Sequence, residues 1–168
     1  MPLVGKDTII KLINVVASDT IGLLTVALED PAGYGRIVRD ANGTVTEIIE
    51  HKDASQDQLK IQEINTGVIA IMSRHLRTLV PLVDNNNRQK EFYLTDIIKL
   101  AKTKGININT VSPKSPIEVQ GVNDKKQLSE LERSFQKNQA EKLLEKGVTI
   151  VDPKRFDLRG SLQTGKDC

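Results

Sequence analysis

The run Gln62-Glu63-Ile64-Asn65-Thr66-Gly67-Val68-Ile69-Ala70-Ile71-Met72 carries hydrogen-bonding side chains in its first half and a continuous apolar, β-branched stretch in its second. It reads as a buried central strand whose polar end lies at a sheet edge or cleft, where α/β sheets gather ligand-binding groups. Asn65 there is either a ligand contact or a cap on local backbone groups. Glu50-His51-Lys52-Asp53 alternates in sign and is either a solvated loop or a functional turn. No second His or Cys lies at ligand spacing from His51, so it is not read as a metal ligand, and His75 reads as a surface residue. Thr95 stands where it would N-cap a helix over residues 96–104, after Glu91-Phe92-Tyr93-Leu94. A helix start behind polar and aromatic residues suits an anion or a sugar, the alternative being that at least one of Phe92 and Tyr93 is core.

The elements that must position these residues alternate between helix and strand. An amphipathic helix is expected over residues 6–17, with Ile9, Ile10, Leu12, Ile13 and Val16 forming a broad apolar face. An apolar strand over residues 21–28 ends at Pro31-Ala32-Gly33-Tyr34-Gly35, whose glycines permit positive φ or close backbone approach, unless the loop is an ordinary turn. Residues 36–39 and 45–50 flank Asp40-Ala41-Asn42-Gly43, a strong hairpin signal. Ser55 caps a short helix through Leu59, and a helix follows over residues 73–80. Residues 106–111 alternate as a half-buried strand, and Ile117-Glu118-Val119-Gln120 follows Pro113 and Pro116, which limit its pairing before the sheet closes. Asp124 and Gln127 fit a capping box for a long helix to Gly147, with Leu128, Leu131, Phe135, Leu143 and Leu144 as its stripe. That helix is either core or a linker, and an irregular charged tail follows it.

A chain of 168 residues is about one domain and can bury a real core. Its one cysteine, the terminal Cys168, forms no internal disulfide, which fits a reducing compartment, so the expected location is the cytoplasm. Lys6 and the apolar run behind it have the order of a signal peptide, but Asp7, Lys11 and Asn14 break it. No run approaches the roughly 18 apolar residues that span a bilayer. The net charge of +2 comes from interspersed signs, and aromatics make up only 3%, so neither a membrane nor a nucleic acid is an expected partner.

Gly33-Tyr34-Gly35-Arg36-Ile37, Glu50-His51-Lys52-Asp53-Ala54, Gln62-Glu63-Ile64-Asn65-Thr66-Gly67, Asn85-Asn86-Asn87, Glu91-Phe92-Tyr93-Leu94-Thr95-Asp96, Glu118-Val119-Gln120-Gly121-Val122-Asn123 and Arg155-Phe156-Asp157-Leu158-Arg159-Gly160 follow one another in the chain. In this order they resemble the bacterial bifunctional N-acetylglucosamine-1-phosphate uridyltransferase/glucosamine-1-phosphate acetyltransferase family over nearly the whole chain. The resemblance implies an α/β, Rossmann-like nucleotide-sugar pyrophosphorylase fold with a mixed sheet flanked by helices, truncated at its N-terminal half. It also implies a partial uridyltransferase domain over residues 1–122, a linker helix over 123–147 and the start of a left-handed β-helix over 148–168. The implied reaction transfers a uridylyl group from UTP to N-acetylglucosamine 1-phosphate, giving UDP-N-acetylglucosamine and pyrophosphate with Mg²⁺. Carried over by motif, Gly35, Glu50 and Asn65 match sugar contacts, Tyr93 and Thr95 match the loop lining the sugar pocket, and Asn123 matches a nucleotide-sugar contact that also ligates Mg²⁺. The chemistry is apt: a carboxylate accepts from hydroxyls, an amide donates and accepts, and an amide oxygen is a hard ligand.

The resemblance also has gaps. The family's triphosphate loop, Leu-Ala-Ala-Gly-x-Gly-Thr-x-Met, its uracil-reading residues and the Gly-Asp whose carboxylate joins Asn on Mg²⁺ do not occur in these residues. Met1-Pro2-Leu3-Val4 resembles the stretch just after that Gly-Asp, so Met1 reads as a new start at a truncation. No hexapeptide repeats follow Gly160, so the acetyltransferase half and its trimer are not expected. Lys90 stands where the family usually has Gly. The expected function is the sugar-binding half of a uridyltransferase, inactive alone; the alternative is a non-catalytic sugar-nucleotide-binding or assembly module, with unpaired sheet edges favouring a homo-oligomer.

Overall fold

The computed structural model describes every residue except Asn123 and Lys166. It forms two units, Pro2–Val119 and Gln120–Cys168 with Met1. In the first unit the chain runs α1 (Lys6–Asn14), β1 (Thr20–Ala27), β2 (Arg36–Arg39), β3 (Val45–Ile49), α2 (Gln56–Leu59), β4 (Glu63–Ala70), α3 (Ser73–Leu79), α4 (Asp96–Thr103) and β5 (Asn107–Val111). The strands make one mixed sheet in the order β3-β2-β4-β1-β5, the Rossmann-like α/β arrangement. β1 lies antiparallel to β4 and parallel to β5, and β2 lies antiparallel to β3 and β4.

β1 is apolar at nearly every position because both of its faces are covered. Ile21 and Leu23 join a core with Ile37, Ile48, Leu79 of α3, and Ile97, Ile98 and Ala101 of α4. Leu24 and Val26 point the other way, into a second core with Leu12 of α1, Ile64 and Val119. The expected central strand, β4, does occupy the middle of the order, but it is half-buried rather than buried. Two causes are visible. Leu23 faces Ile69 and Thr25 faces Asn65, so residues 66–68 bulge opposite Leu24. On the other side β2 meets β4 at the single register pair Arg36 and Ile64, which leaves the later half of β4 unpaired there among the described residues.

Several further expectations change. α1 stops at Asn14, and Ile10 and Ile13 of its expected apolar face are exposed. Residues Pro116–Val119 form a 3₁₀ turn and not a strand, as Pro116, which lacks the ladder N–H, allows. Glu118 on that turn accepts from Thr8 Oγ1 at 2.6 Å and from the Gly5 N–H at 3.3 Å, so a distant carboxylate meets the positive end of α1. Ser55 caps α2 as expected, and Gln58 adds the reciprocal bond of a capping box that was not foreseen.

In the second unit, α5 (Lys125–Glu145) begins where Asp124 accepts from the Gln127 N–H at 2.7 Å. Leu131 and Leu143 of the expected stripe are buried, whereas Leu128 and Leu144 are exposed. Gln136, outside that stripe, is buried where its amide grips both backbone polar groups of Leu158 in the tail, donating to Leu158 O at 3.2 Å and accepting from Leu158 N–H at 2.7 Å. Asp157 pairs with Arg133.

A polar ladder crosses the sheet in the first unit. Glu63 of β4 accepts from Arg39 Nε at 2.8 Å and Nη2 at 2.7 Å, and from Thr25 Oγ1 at 2.8 Å; Arg39 Nη2 also reaches Thr110 Oγ1 at 3.1 Å. Four strands are thereby tied by one carboxylate and one guanidinium. Burial pushes the Glu63 carboxyl up, but the bonds from Arg39 and Thr25 and the Arg39 charge outweigh it and hold it below the ordinary value of 4.5. A depressed carboxylate stabilises the fold above its unfolded value and loses that contribution as pH falls through the folded value. Glu63→Gln should therefore cost about 1 kcal/mol at neutral pH, with the gap from wild type closing as pH drops below 4.5. Urea unfolding of both chains across that range measures it, and a pH-independent gap would refute the ion-pair account.

Candidate functional site

The site is built where β2 leaves the glycine loop. Gly33 has φ +81°, which lets the loop turn back on itself without a Cβ penalty. Gly35 has an ordinary φ and is needed for space: a Cβ there would lie 3.0 Å from Ile48 Cγ2 and 3.5 Å from both carboxylate oxygens of Glu50. Positive φ at Gly33 and close approach at Gly35 are thus found inside an ordinary turn, the alternative reading of this loop, which the Tyr34 N–H closes on the Pro31 carbonyl at 3.2 Å. Asn65 donates its backbone N–H to the Gly35 carbonyl at 2.8 Å, which fastens the loop to β4.

Glu50 follows the last register pair of the hairpin, Arg36 with Ile49. Its Oε1 accepts from Thr95 Oγ1 at 2.9 Å. Thr95 does precede α4, but it has helical φ and ψ and its side chain makes no cap bond. The hydroxyl that would cap the helix is committed to Glu50 instead. Gly35, Glu50, Asn65 and Thr95 are therefore joined by direct bonds or van der Waals approach. Tyr93 belongs to the same surroundings: its hydroxyl pKa is raised, by burial and then by the carboxylates of Asp53, Glu91 and Glu50. Asp96 is likewise pushed up, by burial first and then by Asp84, with Glu50 and Asp53 adding and Lys99 opposing. The site is thus rich in carboxylates, which suits hydroxyl donors.

Asn65 takes the local role foreseen as an alternative. Its Oδ1 accepts from the Gly67 N–H at 3.0 Å inside the bulge, while the Thr66 hydroxyl donates to Leu24 O at 2.8 Å. Its amide nitrogen makes no hydrogen bond among the described residues, so capping and ligand contact are compatible in one side chain. Asn123, expected to touch the nucleotide sugar and Mg²⁺, lies outside the described residues. Among the described residues no three His, Cys, Asp or Glu side chains converge on a metal position.

The loop before Thr95 is held against the Glu50 turn. Asp53 Oδ1 accepts from the Arg88 N–H at 3.0 Å, Arg88 donates to Lys52 O at 3.0 Å, and Lys52 donates to Gln89 at 2.9 Å. The Asn87 amide clamps Glu91, donating to its carbonyl at 2.6 Å and accepting from its N–H at 3.2 Å. Between them Lys90 sits at φ 57°, in the left-handed region. Neither aromatic is core: Phe92 is 70% exposed and Tyr93 is half-buried. The packing is done by Ile97 and Ile98 instead.

With the geometry in place, the comparisons follow. No family model matches the chain. Among individual proteins, the bifunctional protein GlmU of Saccharophagus degradans is 51% identical over 168 residues, 100% of this chain. The bifunctional proteins GlmU of Cellvibrio japonicus and Chromohalobacter salexigens are 50% and 49% identical over 167 residues, 99% of this chain. The chain belongs to the GlmU family. It spans 37% of the length of those GlmU proteins. No helix among its described residues is long and apolar enough to cross a membrane.

Two contributors were not visible in the sequence as site residues. Arg36 reads as an ordinary strand position, yet it is 1% exposed. Asp53 reads as one charge in an alternating run, yet it anchors the loop that leads to Thr95. Only the positive-φ position was signalled, by Lys90 standing where the GlmU resemblance has Gly. The left-handed backbone is costly for a residue with a Cβ and free for glycine, so Lys90→Gly should leave stability unchanged or raise it by up to about 1 kcal/mol. A β-branched residue there, Lys90→Val, should lower it by about 1–2 kcal/mol. Thermal unfolding of the pair checks this, and equal losses in both would show that the loop is not held in that conformation.

Proposed function

We propose that this chain is the sugar-binding portion of an N-acetylglucosamine-1-phosphate uridyltransferase of the GlmU type. The observation that carries the reading is the diversion of the Thr95 hydroxyl from its helix to Glu50, beside Gly35, whose lack of a Cβ leaves the space next to that carboxylate open. This arrangement keeps one carboxylate oriented and accessible to hydroxyls and leaves Glu50 Oε2 without a hydrogen-bond partner among the described residues. Glu50 would accept from the sugar hydroxyls, the Asn65 amide nitrogen would donate to the sugar, and Gly35 would let the ligand approach backbone. Tyr93 and Thr95 would line the sugar pocket, with Thr95 orienting Glu50.

In the whole reaction the phosphate of N-acetylglucosamine 1-phosphate attacks the α-phosphorus of UTP and pyrophosphate leaves, giving UDP-N-acetylglucosamine. The product would feed cell-wall peptidoglycan and lipopolysaccharide synthesis in the cytoplasm. Mg²⁺, when bound, would offset the charge of the two polyanions as they meet. The amide oxygen of Asn123 would be one ligand to it, but the described residues add no carboxylate cluster, so the binding role proposed here does not rest on the metal. Catalysis by this chain alone is not expected, since the GlmU triphosphate loop does not occur in these residues.

A second reading, as a non-catalytic assembly module, is favoured by the unpaired later half of β4, because an open edge in mid-sheet invites another strand. Light scattering at high concentration separates the readings: a dimer or larger species supports assembly, a strict monomer counts against it. For the first reading, calorimetric titration of UDP-N-acetylglucosamine into the chain should show binding. Glu50→Gln and Thr95→Val should each weaken it about tenfold, the effect of removing a bond to a charged group. Wild-type binding untouched by Glu50→Gln would overturn the assignment of the site.

A further inference from the structure

We infer that Arg36 is a positioning residue that sets the gap between Gly35 and Glu50 by gripping the Tyr34 carbonyl on one side and a neutral His51 on the other. The inference rests on the sugar-site reading above and adds to it two residues that contact no ligand themselves. Arg36 is 1% exposed, yet it takes part in no ion pair among the described residues, and its Nε has no partner. A buried guanidinium without a carboxylate is costly to keep, so its bonds must be sought elsewhere. One goes from Nη1 to the Tyr34 carbonyl, and another from Nη2 to His51 Nδ1 at 3.3 Å.

The second bond determines the state of His51. A guanidinium has donors only, so Nδ1 must accept, and the ring proton must sit on Nε2. His51 is thereby held neutral and in one tautomer. Tyr34 and Arg36 bracket Gly35 in sequence, and His51 follows Glu50. The guanidinium therefore holds the immediate neighbours of the two groups whose separation defines the site. The strands do not need this tie, because β2 and β3 are already paired as far as Arg36 and Ile49. The turn after Ile49 is closed on itself by bonds from the Asp53 and Ala54 N–H groups to Glu50 O, which leave its distance from the glycine loop unset. Arg36 supplies that distance. Lysine could not replace it, since a compact ammonium on a flexible stem cannot span both acceptors.

The test reads the tie directly and through the ligand. Nitrogen chemical shifts of wild-type His51 at neutral pH should report the Nε2-protonated neutral ring. Arg36→Lys and His51→Leu should each speed amide exchange of Asn65, whose N–H bonds Gly35, by about tenfold, while Leu23 in the core is unaffected. They should also weaken UDP-N-acetylglucosamine binding about tenfold, as loss of positioning does. His51→Gln, whose amide oxygen can accept from Arg36, should restore both. A ring protonated on Nδ1, or Asn65 exchange that stays at the wild-type rate in His51→Leu, would overturn the inference. Uniformly faster exchange would do the same by showing a merely structural role. Should Arg36→Lys not fold, the half-buried His51 carries the test alone. If wild type binds no sugar nucleotide, the sugar-site reading fails, and the tautomer and exchange results still decide the tie.

Discussion

The bond from the Asn65 N–H to the Gly35 carbonyl, 2.8 Å long, is the point at which the sheet and the candidate site become one structure. β4 pairs with β1 on one side on both flanks of the bulge, but on the other it touches β2 at one register pair. The hairpin that delivers Glu50 is held to the sheet backbone at that short junction, and otherwise by the Arg39–Glu63 pair and by the packing of Ile37 and Ile48 on α4. The bulge at residues 66–68 follows directly after it. Thr66 and Asn65 satisfy the backbone groups that the bulge would orphan, so the strand can depart from regular pairing there without leaving polar groups unmade.

Around this junction the chain gathers more carboxylates than it neutralises. Glu50, Asp53, Asp84 and Asp96 act on one another or on Tyr93 electrostatically, while Arg36, Arg88 and Lys52 are drawn into bonds with the Tyr34 carbonyl, the Lys52 carbonyl and the Gln89 amide, and Lys99 pairs with Glu47 at 3.1 Å. A fold selected for stability alone would pair these charges, as it does at Arg39 and Glu63 in the same sheet. The Asp96 carboxyl and the Tyr93 hydroxyl are both pushed up in this one place, which is the pattern that makes it the candidate site. The two carboxylates differ in how protein meets them: both oxygens of Glu63 accept from Arg39 or Thr25, whereas Glu50 accepts at Oε1 alone among the described residues, which is the difference the proposed sugar-binding role of Glu50 uses.

How much of this the sequence showed depended on the range of the interaction. The hairpin, the cap at Ser55, the two conformational uses of Gly33 and Gly35, and the strand identities are local, and turn chemistry and β-branched runs announce them. The burial of β1 against that of β4 was not, because both contain apolar, β-branched stretches; what separates them is a bulge and a one-pair junction, which depend on partners far away in the chain. Phe92 shows the same limit. An aromatic beside a helix start is expected to be core, but the two isoleucines that follow fill that space, and Phe92 is left outside. Arg36 was invisible for a sharper reason: alternation places it on a face but cannot say that its guanidinium finds carbonyl and imidazole acceptors in place of a carboxylate.

Lys90 shows how such long-range demands override local preference. Its left-handed backbone is set from outside, by Asn87 holding both the N–H and the carbonyl of Glu91 while Asp53 holds the Arg88 N–H. The peptide groups on either side are fixed, so the residue between them has no freedom to choose a favourable φ. The strain is tolerated because the same bonds carry the chain from the Glu50 turn into Tyr93 and Thr95. Releasing the clamp would relax Lys90 and at the same time free the hydroxyl that orients Glu50. The strained residue and the oriented carboxylate are therefore two ends of one set of bonds, and a sequence that keeps the second must accept the first or place glycine there.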